Sequence, residues 1–346
     1  MSIFEISVAI IGLSLLVVIH EGGHYLAARA FGMRVTRFSI GFGPVLARYQ
    51  PKGSPTVFQI CAIPFLAYVL IAGMNPAEDV DPDDPSLYPN KGVFARIVTI
   101  FAGPFANYLT ASVLVFGLAL SGWPRSVPVE RMIIGAVEPG TPAAQAGLKP
   151  GDVVVRANAQ PVNDVQDLIA VTKPRGGLAT EYVIERGGKT STLTITPAQR
   201  GGRGVIGVVP KFKTVYEVQP ASDAARLALV YPYAITVEQL KGLASLVRQR
   251  STDGLKGPIG MGKLVAERAG KGVAELMSIL MLISVALGMF NLLPFPALDG
   301  GRLVFLGYEL VTRRRPNERI EAVVHTVGLL VLLGVIVLVT IRDVVG

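Results

Sequence analysis

Four stretches of this chain are too apolar to be left in water, and they constrain everything built around them. Residues 6–30, 97–120 and 323–341 are each long and apolar enough to cross a bilayer as a helix. Residues 273–293 are apolar after Glu275 and end at a proline-rich break. The composition agrees: 51% of the 346 residues are hydrophobic and the mean hydropathy is +0.49. Between the second apolar run and the one at 273–293, residues 125–270 are charged, rich in Gly and Pro, and without any such run. The expected fold is therefore a polytopic α-helical membrane protein with four transmembrane helices and one soluble insert. The first run lacks the basic flank and small-residue cleavage site of a secretory signal, so it is expected to stay on the chain. Cys61 is the one cysteine, which excludes an intrachain disulfide.

The net charge of +8 raises nucleic acid as a partner, but its distribution argues against it. Twenty of the 33 basic residues lie in 122–272. Seven lie between the first two spans and five in the short loop before the last, at Arg302, Arg313, Arg314, Arg315 and Arg319. No basic-aromatic stripe is present. Short basic loops stay in the cytoplasm and long domains do not count toward that rule. The expected orientation has the N-terminus and the insert outside and both basic loops inside.

Residues 35–73 are β-branched and aromatic, with glycines and a PKGSP turn at 51–55, so two or three short strands are expected there. EDVDPDDP at 78–85 reads as a solvated acidic loop; it has no His or Cys for a soft metal and the wrong spacing for a calcium loop. In the insert, the pattern from Met132 onward predicts strand, turn, short helix, turn, strand, then a helix near 165–171. Alternating runs at 180–186 and 189–196 flank Gly187-Gly188 and predict a hairpin with a primed turn. A last strand fits 204–210. This insert, 123–213, resembles a PDZ domain in permuted order, through the strand at Gly135, PGTPAAQAGLKPGD and the Gly-Gly hairpin. The resemblance implies a peptide or C-terminus added beside residues 132–137, with Ile133, Ile134 and Gly135 in the groove. The alternative is a domain that only shields the membrane part. Residues 221–247 carry apolar positions at helical spacing, which fits an amphipathic helix on the membrane surface or one packed on the insert.

His20-Glu21-Gly22-Gly23-His24 is the segment with chemistry in it. On a helix the two histidines share one face and can bind one metal ion, and Glu21 can reach a water on that ion as a base. The glycines each weaken the helix by about 1 kcal/mol relative to alanine, which points to a close approach of backbone or substrate. Fifteen residues from Ile6 to His20 rise about 22 Å against a hydrocarbon thickness near 30 Å, placing the motif inside the membrane toward the cytoplasmic side. A zinc site takes a third protein ligand and keeps one position open. His325 is one candidate, though a packing or capping role fits its place early in the last span. Asp299, in NLLPFPALDGG at 291–301, is the better one: Pro294 and Pro296 break the helix before it. Alone, Asp299 reads as a cap on a helix beginning near Gly300; paired with HEGGH, it reads as a ligand.

Together HEGGH, Gly103-Pro104 with Asn107, GPIG at 257–260 and NLLPFPALDGG resemble the site-2 protease family, on the branch of the bacterial regulator of sigma-E protease. The resemblance covers essentially the whole chain. It implies an intramembrane zinc metalloendopeptidase with one zinc ion per chain, ligated by His20, His24 and Asp299, with Glu21 as the base. It implies substrate contacts at Asn291 and Pro294, and a membrane-associated β region in 33–92 that holds an unwound substrate as a strand. Partners would be membrane lipid and single-span proteins already cut outside, such as anti-sigma factors, or remnant signal peptides, in the bacterial cytoplasmic (inner) membrane. The domain expectation is a first span with HEGGH (1–32), the β region and acidic loop (33–92), a second span (93–122), the PDZ insert (123–213) and an amphipathic helix with linker (214–272). A third span with the broken segment (273–312) and a basic loop with the fourth span (313–346) complete it. Two departures stand out: one PDZ domain where the better-known relative has two in tandem, and Phe65, Leu66 and Ala67 where a glycine pair is common. The rival readings are a catalytically inactive membrane PDZ receptor or scaffold, for which Glu21 has no use, and a metal transporter, which needs polar residues along several spans.

Overall fold

A computed structural model describes residues 1–75, 78, 81–129, 131–249 and 256–345. Part of the acidic loop (79 and 80) and the linker 250–255 lie outside the described residues. The chain forms two compact units, one of 1–122 with 218–346 and the other of Trp123–Glu217.

In the first unit, α1 (Ile3–Ala30) starts from a capping box: the Ser2 hydroxyl accepts the Glu5 N–H at 3.2 Å, and Glu5 accepts the Ser2 N–H at 2.8 Å. Two strands follow, β1 (Val35–Tyr49) and β2 (Val57–Ile71), joined by the expected turn with Gly53 at φ +74. They are longer than the short strands the sequence suggests. The reason is that each strand bends and is used twice. Arg37–Ile40 pairs with Ala67–Leu70 on one side and with Val57–Ile60 on the other, while Val45–Tyr49 pairs with Phe58–Cys61. Gly41 and Gly43, at φ +83 and +89, supply the bend in β1. The long helix α2 (Val93–Ser121) carries Pro104 inside it.

The second unit runs β3 (Trp123–Pro128), β4 (Ile134–Val137), α3 (Pro142–Gln145), β5 (Val153–Ala157), β6 (Gln160–Pro161) and α4 (Val165–Thr172). It continues with β7 (Thr180–Arg186), β8 (Lys189–Ile195), β9 (Ala198–Arg200), β10 (Arg203–Val205), β11 (Val208–Pro210) and β12 (Phe212–Glu217). Its core is apolar, with Met132, Ile134, Val154, Tyr182, Ile184 and Ile195 essentially sealed from solvent. Gly187 and Gly188 both take positive φ (+56 and +77), as a type I′ hairpin turn requires. The strand expected at 204–210 is broken at Gly207 (φ +79), so β10 pairs back on β9 while β11 pairs with β4. The pairing of β3 with β12 is not visible in the sequence, because prolines at 124 and 128 mask a strand pattern.

Back in the first unit come α5 (Ala221–Gln249), α6 (Pro258–Gly270), α7 (Val273–Leu292), α8 (Asp299–Thr312) and α9 (Glu318–Val345). The amphipathic α5 packs on its own unit: Thr236 Oγ1 lies 2.9 Å from Tyr108 Oη of α2, and Gln239 donates to the Leu282 carbonyl of α7 at 3.1 Å. GPIG opens α6, where the Asp343 carboxylate near the end of α9 accepts the N–H groups of Gly257 (3.2 Å) and Gly260 (2.7 Å). Helices α1, α2, α7 and α9 are long and apolar enough to cross a membrane.

One ion pair anchors the second unit. Arg186 donates from Nε and Nη2 to the two oxygens of buried Asp152, each at 2.6 Å, and the Lys149 N–H adds a bond at 2.8 Å. The Arg186 guanidinium holds the Asp152 carboxyl below the usual carboxylate range. A depressed pKa adds stability above that range and loses it as pH falls through the folded value. Arg186→Ala should therefore destabilise this unit near neutral pH, chiefly by leaving the buried Asp152 carboxylate without its guanidinium partner. That penalty should shrink below about pH 4. Limited proteolysis across a denaturant series reads both; equal midpoints at neutral pH would contradict the account.

Candidate active site

About one helical turn of α1 separates His20 from His24, so the helix presents both imidazoles on one face. That face meets α2 at backbone contact. A Cβ on Gly23 would run into the Ala102 carbonyl oxygen, and a Cβ on Gly103 would strike the His24 ring. Gly22 faces open space. Of the two glycines that weaken α1, one thus makes the helix crossing possible and the other leaves room beside the site.

The imidazoles are aimed from behind. His24 Nδ1 donates to the Thr99 carbonyl at 2.8 Å, in the turn of α2 that precedes Pro104. A carbonyl only accepts, so Nδ1 carries the proton and Nε2 keeps its lone pair. His20 Nδ1 lies 2.9 Å from the Asn107 amide. The orientation that places Oδ1 against the ring leaves His20 Nε2 free in the same way, and gives a partner to a buried Oδ1 that otherwise has none.

Asp299 arrives on the loop between α7 and α8. Gly300 and Gly301 let the first turn of α8 lie against the carbonyls of Leu293 and Phe295, where any side chain would collide. A buried ion pair between Arg96 of α2 and Glu309 ties α8 to α2. Asp299 is the first residue of α8 and Leu298 the cap, so the carboxylate sits in the favourable field of the helix start without capping it.

These supports bring three ligand atoms together. Asp299 Oδ2 lies 3.1 Å from His20 Nε2 and 3.3 Å from His24 Nε2, and the two nitrogens are 3.2 Å apart. Oδ2 is buried and has no hydrogen-bond partner among the described residues. Three lone pairs facing one another repel unless a cation lies among them. A tetrahedral ion with arms of about 2.0–2.1 Å has ligands about 3.3–3.4 Å apart, so the observed edges of 3.1–3.3 Å need to widen only by about 0.1–0.3 Å to take one. Among the described residues, this is the group of His, Cys, Asp and Glu side chains able to hold a metal.

A family model for peptidase family M50 matches residues 8–335. The chain belongs to peptidase family M50. The M50 chain is similar to metalloprotease MmpA of Caulobacter vibrioides, 33% identical over 365 residues that span 93% of this chain and 90% of the relative. It is also similar to a provisionally named zinc metalloprotease of Nostoc sp., 32% identical across 97% of this chain and 94% of the relative. Among solved structures, the PDZ domain of an SdrC-like protein from Listeria monocytogenes is 20% identical, covering 24% of this chain and 90% of its own, with a TM-score of 0.22.

Other residues singled out by the sequence fall around this M50 site or away from it. Glu21 is half-buried, has His24, His20 and Asp299 as its titratable neighbours, and faces the Val69 backbone N–H of β2. Asn291, near the end of α7, donates to its own helix at the Leu287 carbonyl (2.9 Å), and Pro294 is exposed. His325 is not part of the cluster: its Nδ1 accepts the Ala297 N–H at 3.0 Å, so it does not compete as a ligand. Ile133, Ile134 and Gly135 are not among the residues that line the open groove of the second unit. Ile134 is buried, β4 is bonded to β11 on one side, and its other side bonds to 151–154. Among the described residues, both sides of the strand are therefore bonded at Ile134. An open groove of about 360 Å³ lies instead between 203–208 and α4, beside Val165, Leu168, Ile169 and Thr172. The break at Gly207, which sets 203–208 opposite α4, is not visible in the sequence.

The glycines give a sharp test of the packing. Gly23→Ala should cost about 1–3 kcal/mol by overpacking against α2 and should lower metal content, since it displaces His24. Gly22→Ala, which meets nothing, should retain the metal and gain up to about 1 kcal/mol of helix stability. Thermal unfolding in detergent with metal analysis separates them, and full metal in a stable Gly23→Ala protein would refute the close crossing.

Proposed function

We propose that this chain is an intramembrane zinc endopeptidase of the site-2 type, which cuts a peptide bond within the transmembrane segment of a single-span protein. The observation that carries the reading is the cluster of His20, His24 and Asp299 on helices apolar enough to lie in a bilayer. These three residues would hold one zinc ion per chain. Zinc, when bound, supplies a Lewis acid that makes water a usable nucleophile near neutral pH.

The protein's own groups do the rest. Glu21 takes a proton from the attacking water and returns it to the leaving amine. Thr99 and Asn107 hold the two imidazoles in the tautomer that leaves Nε2 free. A substrate helix bonds all its amides internally, so it must unwind to be cut. The stretch of β2 that faces Glu21 offers the place for it, as an extended segment laid beside Tyr68 and Val69. Asn291 would then exchange its bond to the Leu287 carbonyl for one to substrate backbone, at a rim left open by Pro294.

Trp123–Glu217 is read as a PDZ domain whose groove along α4 accepts an extended peptide or C-terminus. The charge distribution favours basic loops in the cytoplasm, with the N-terminus and the insert outside, in a bacterial inner membrane. Substrates of the anti-sigma type, shortened outside beforehand, or remnant signal peptides fit that arrangement. The inactive-scaffold alternative loses support because Glu21 stands beside an intact ligand set.

Glu21→Gln should lower cleavage of a shortened single-span test substrate in detergent by about 10²–10⁴-fold, while zinc content stays at the wild-type level. Cutting by the variant at the wild-type rate would remove Glu21 from the mechanism.

A further inference from the structure

The loop that delivers Asp299 holds one residue in a conformation that side chains seldom adopt. Ala297 has φ +75, in the left-handed region. Its neighbours close short bonds within the loop: the Phe295 N–H to the Leu293 carbonyl at 2.6 Å, the Leu298 N–H to the Phe295 carbonyl at 3.2 Å, and the Gly301 N–H to the Leu298 carbonyl at 3.1 Å. The Ala297 N–H instead leaves the loop and donates to His325 Nδ1 of α9 at 3.0 Å. One turn along the same face of α9, Gly328 has no side chain because Pro296 lies where a Cβ would go. Gly328 is buried, whereas the large apolar side chains around it, at Val327, Leu329, Leu330 and Val331, are exposed. At this level α9 therefore touches its own unit through the metal loop and through Phe305 of α8, whose ring centroid lies 5.7 Å from that of His325.

We propose that His325 is a positioning residue for the metal site: by accepting the Ala297 N–H it fixes the loop conformation that points Asp299 at His20 and His24. The inference rests on the zinc site proposed above. A backbone N–H only donates, so Nδ1 must be the bare nitrogen and the ring proton sits on Nε2. Nε2 is buried and has no partner among the described residues, so the ring acts on the loop through Nδ1 alone. Ala297 is two residues from Asp299. A relaxation of its φ toward ordinary values would swing the following backbone and carry the carboxylate away from the imidazoles. His325 itself touches neither metal nor substrate.

The test is the rate at which full-length protein in detergent gives up zinc to an excess of chromogenic chelator, with cleavage followed alongside. His325→Asn places its Oδ1 where Nδ1 was and should release zinc at the wild-type rate. His325→Gln sets its oxygen one atom too far out, and His325→Phe keeps a ring with no acceptor. Both should release zinc about 10–100-fold faster, and cleavage should fall in the same order. Equal release by all variants, or release from Asn as fast as from Phe, would overturn the proposal. If Phe does not fold, the contrast between Asn and Gln decides. A wild type that binds no zinc would overturn the metal site itself, and this inference with it.

Discussion

Two imidazole nitrogens and a carboxylate oxygen stand within 3.3 Å of one another, on segments that offer them little water. Left alone, such a group is unfavourable twice over, through lost hydration and through lone-pair repulsion. A divalent cation at its centre reverses both effects. The architecture of the first unit follows from holding that triangle. The α1–α2 crossing is brought to backbone contact by Gly23 and Gly103, the start of α8 is folded under its loop by Gly300 and Gly301, and the Arg96–Glu309 pair fixes α8 to α2.

A sheet lies beside the site. In β1 and β2 the bent, doubly used strands cover their own backbone while β2 passes Glu21. The candidate metal ligands on α1 and the sheet beside them thus lie on elements that adjoin in sequence, and the site-2 reading proposed for this M50 chain draws on both.

Much of the site is legible in the sequence because its residue types are costly where they occur. A histidine pair one helical turn apart in an apolar run, and an aspartate after two helix-breaking prolines, fit little besides a metal site. The long apolar runs also mark the helices to within a few residues. What stays hidden depends on backbone bends and on partners far away in the chain. Gly207 splits one expected strand and moves the groove to α4; Gly41 and Gly43 fold β1 over so that it pairs twice. Asn107 and Thr99 carry no motif of their own that reveals a bond to an imidazole. His325 reads as a packing or spare metal-binding histidine, and its bond to a strained alanine cannot be inferred from spacing.

The central claim is that one zinc ion is held by His20, His24 and Asp299. Zinc-edge X-ray absorption on the purified, full-length protein tests it most directly. The account requires about 2.0–2.1 Å first-shell scattering from light atoms alone, with the multiple scattering of two imidazoles. It also requires that His20→Ala protein either lose the zinc or show the signal of no more than one imidazole. A sulfur neighbour near 2.3 Å, or fewer than two imidazoles in the wild type, would contradict it.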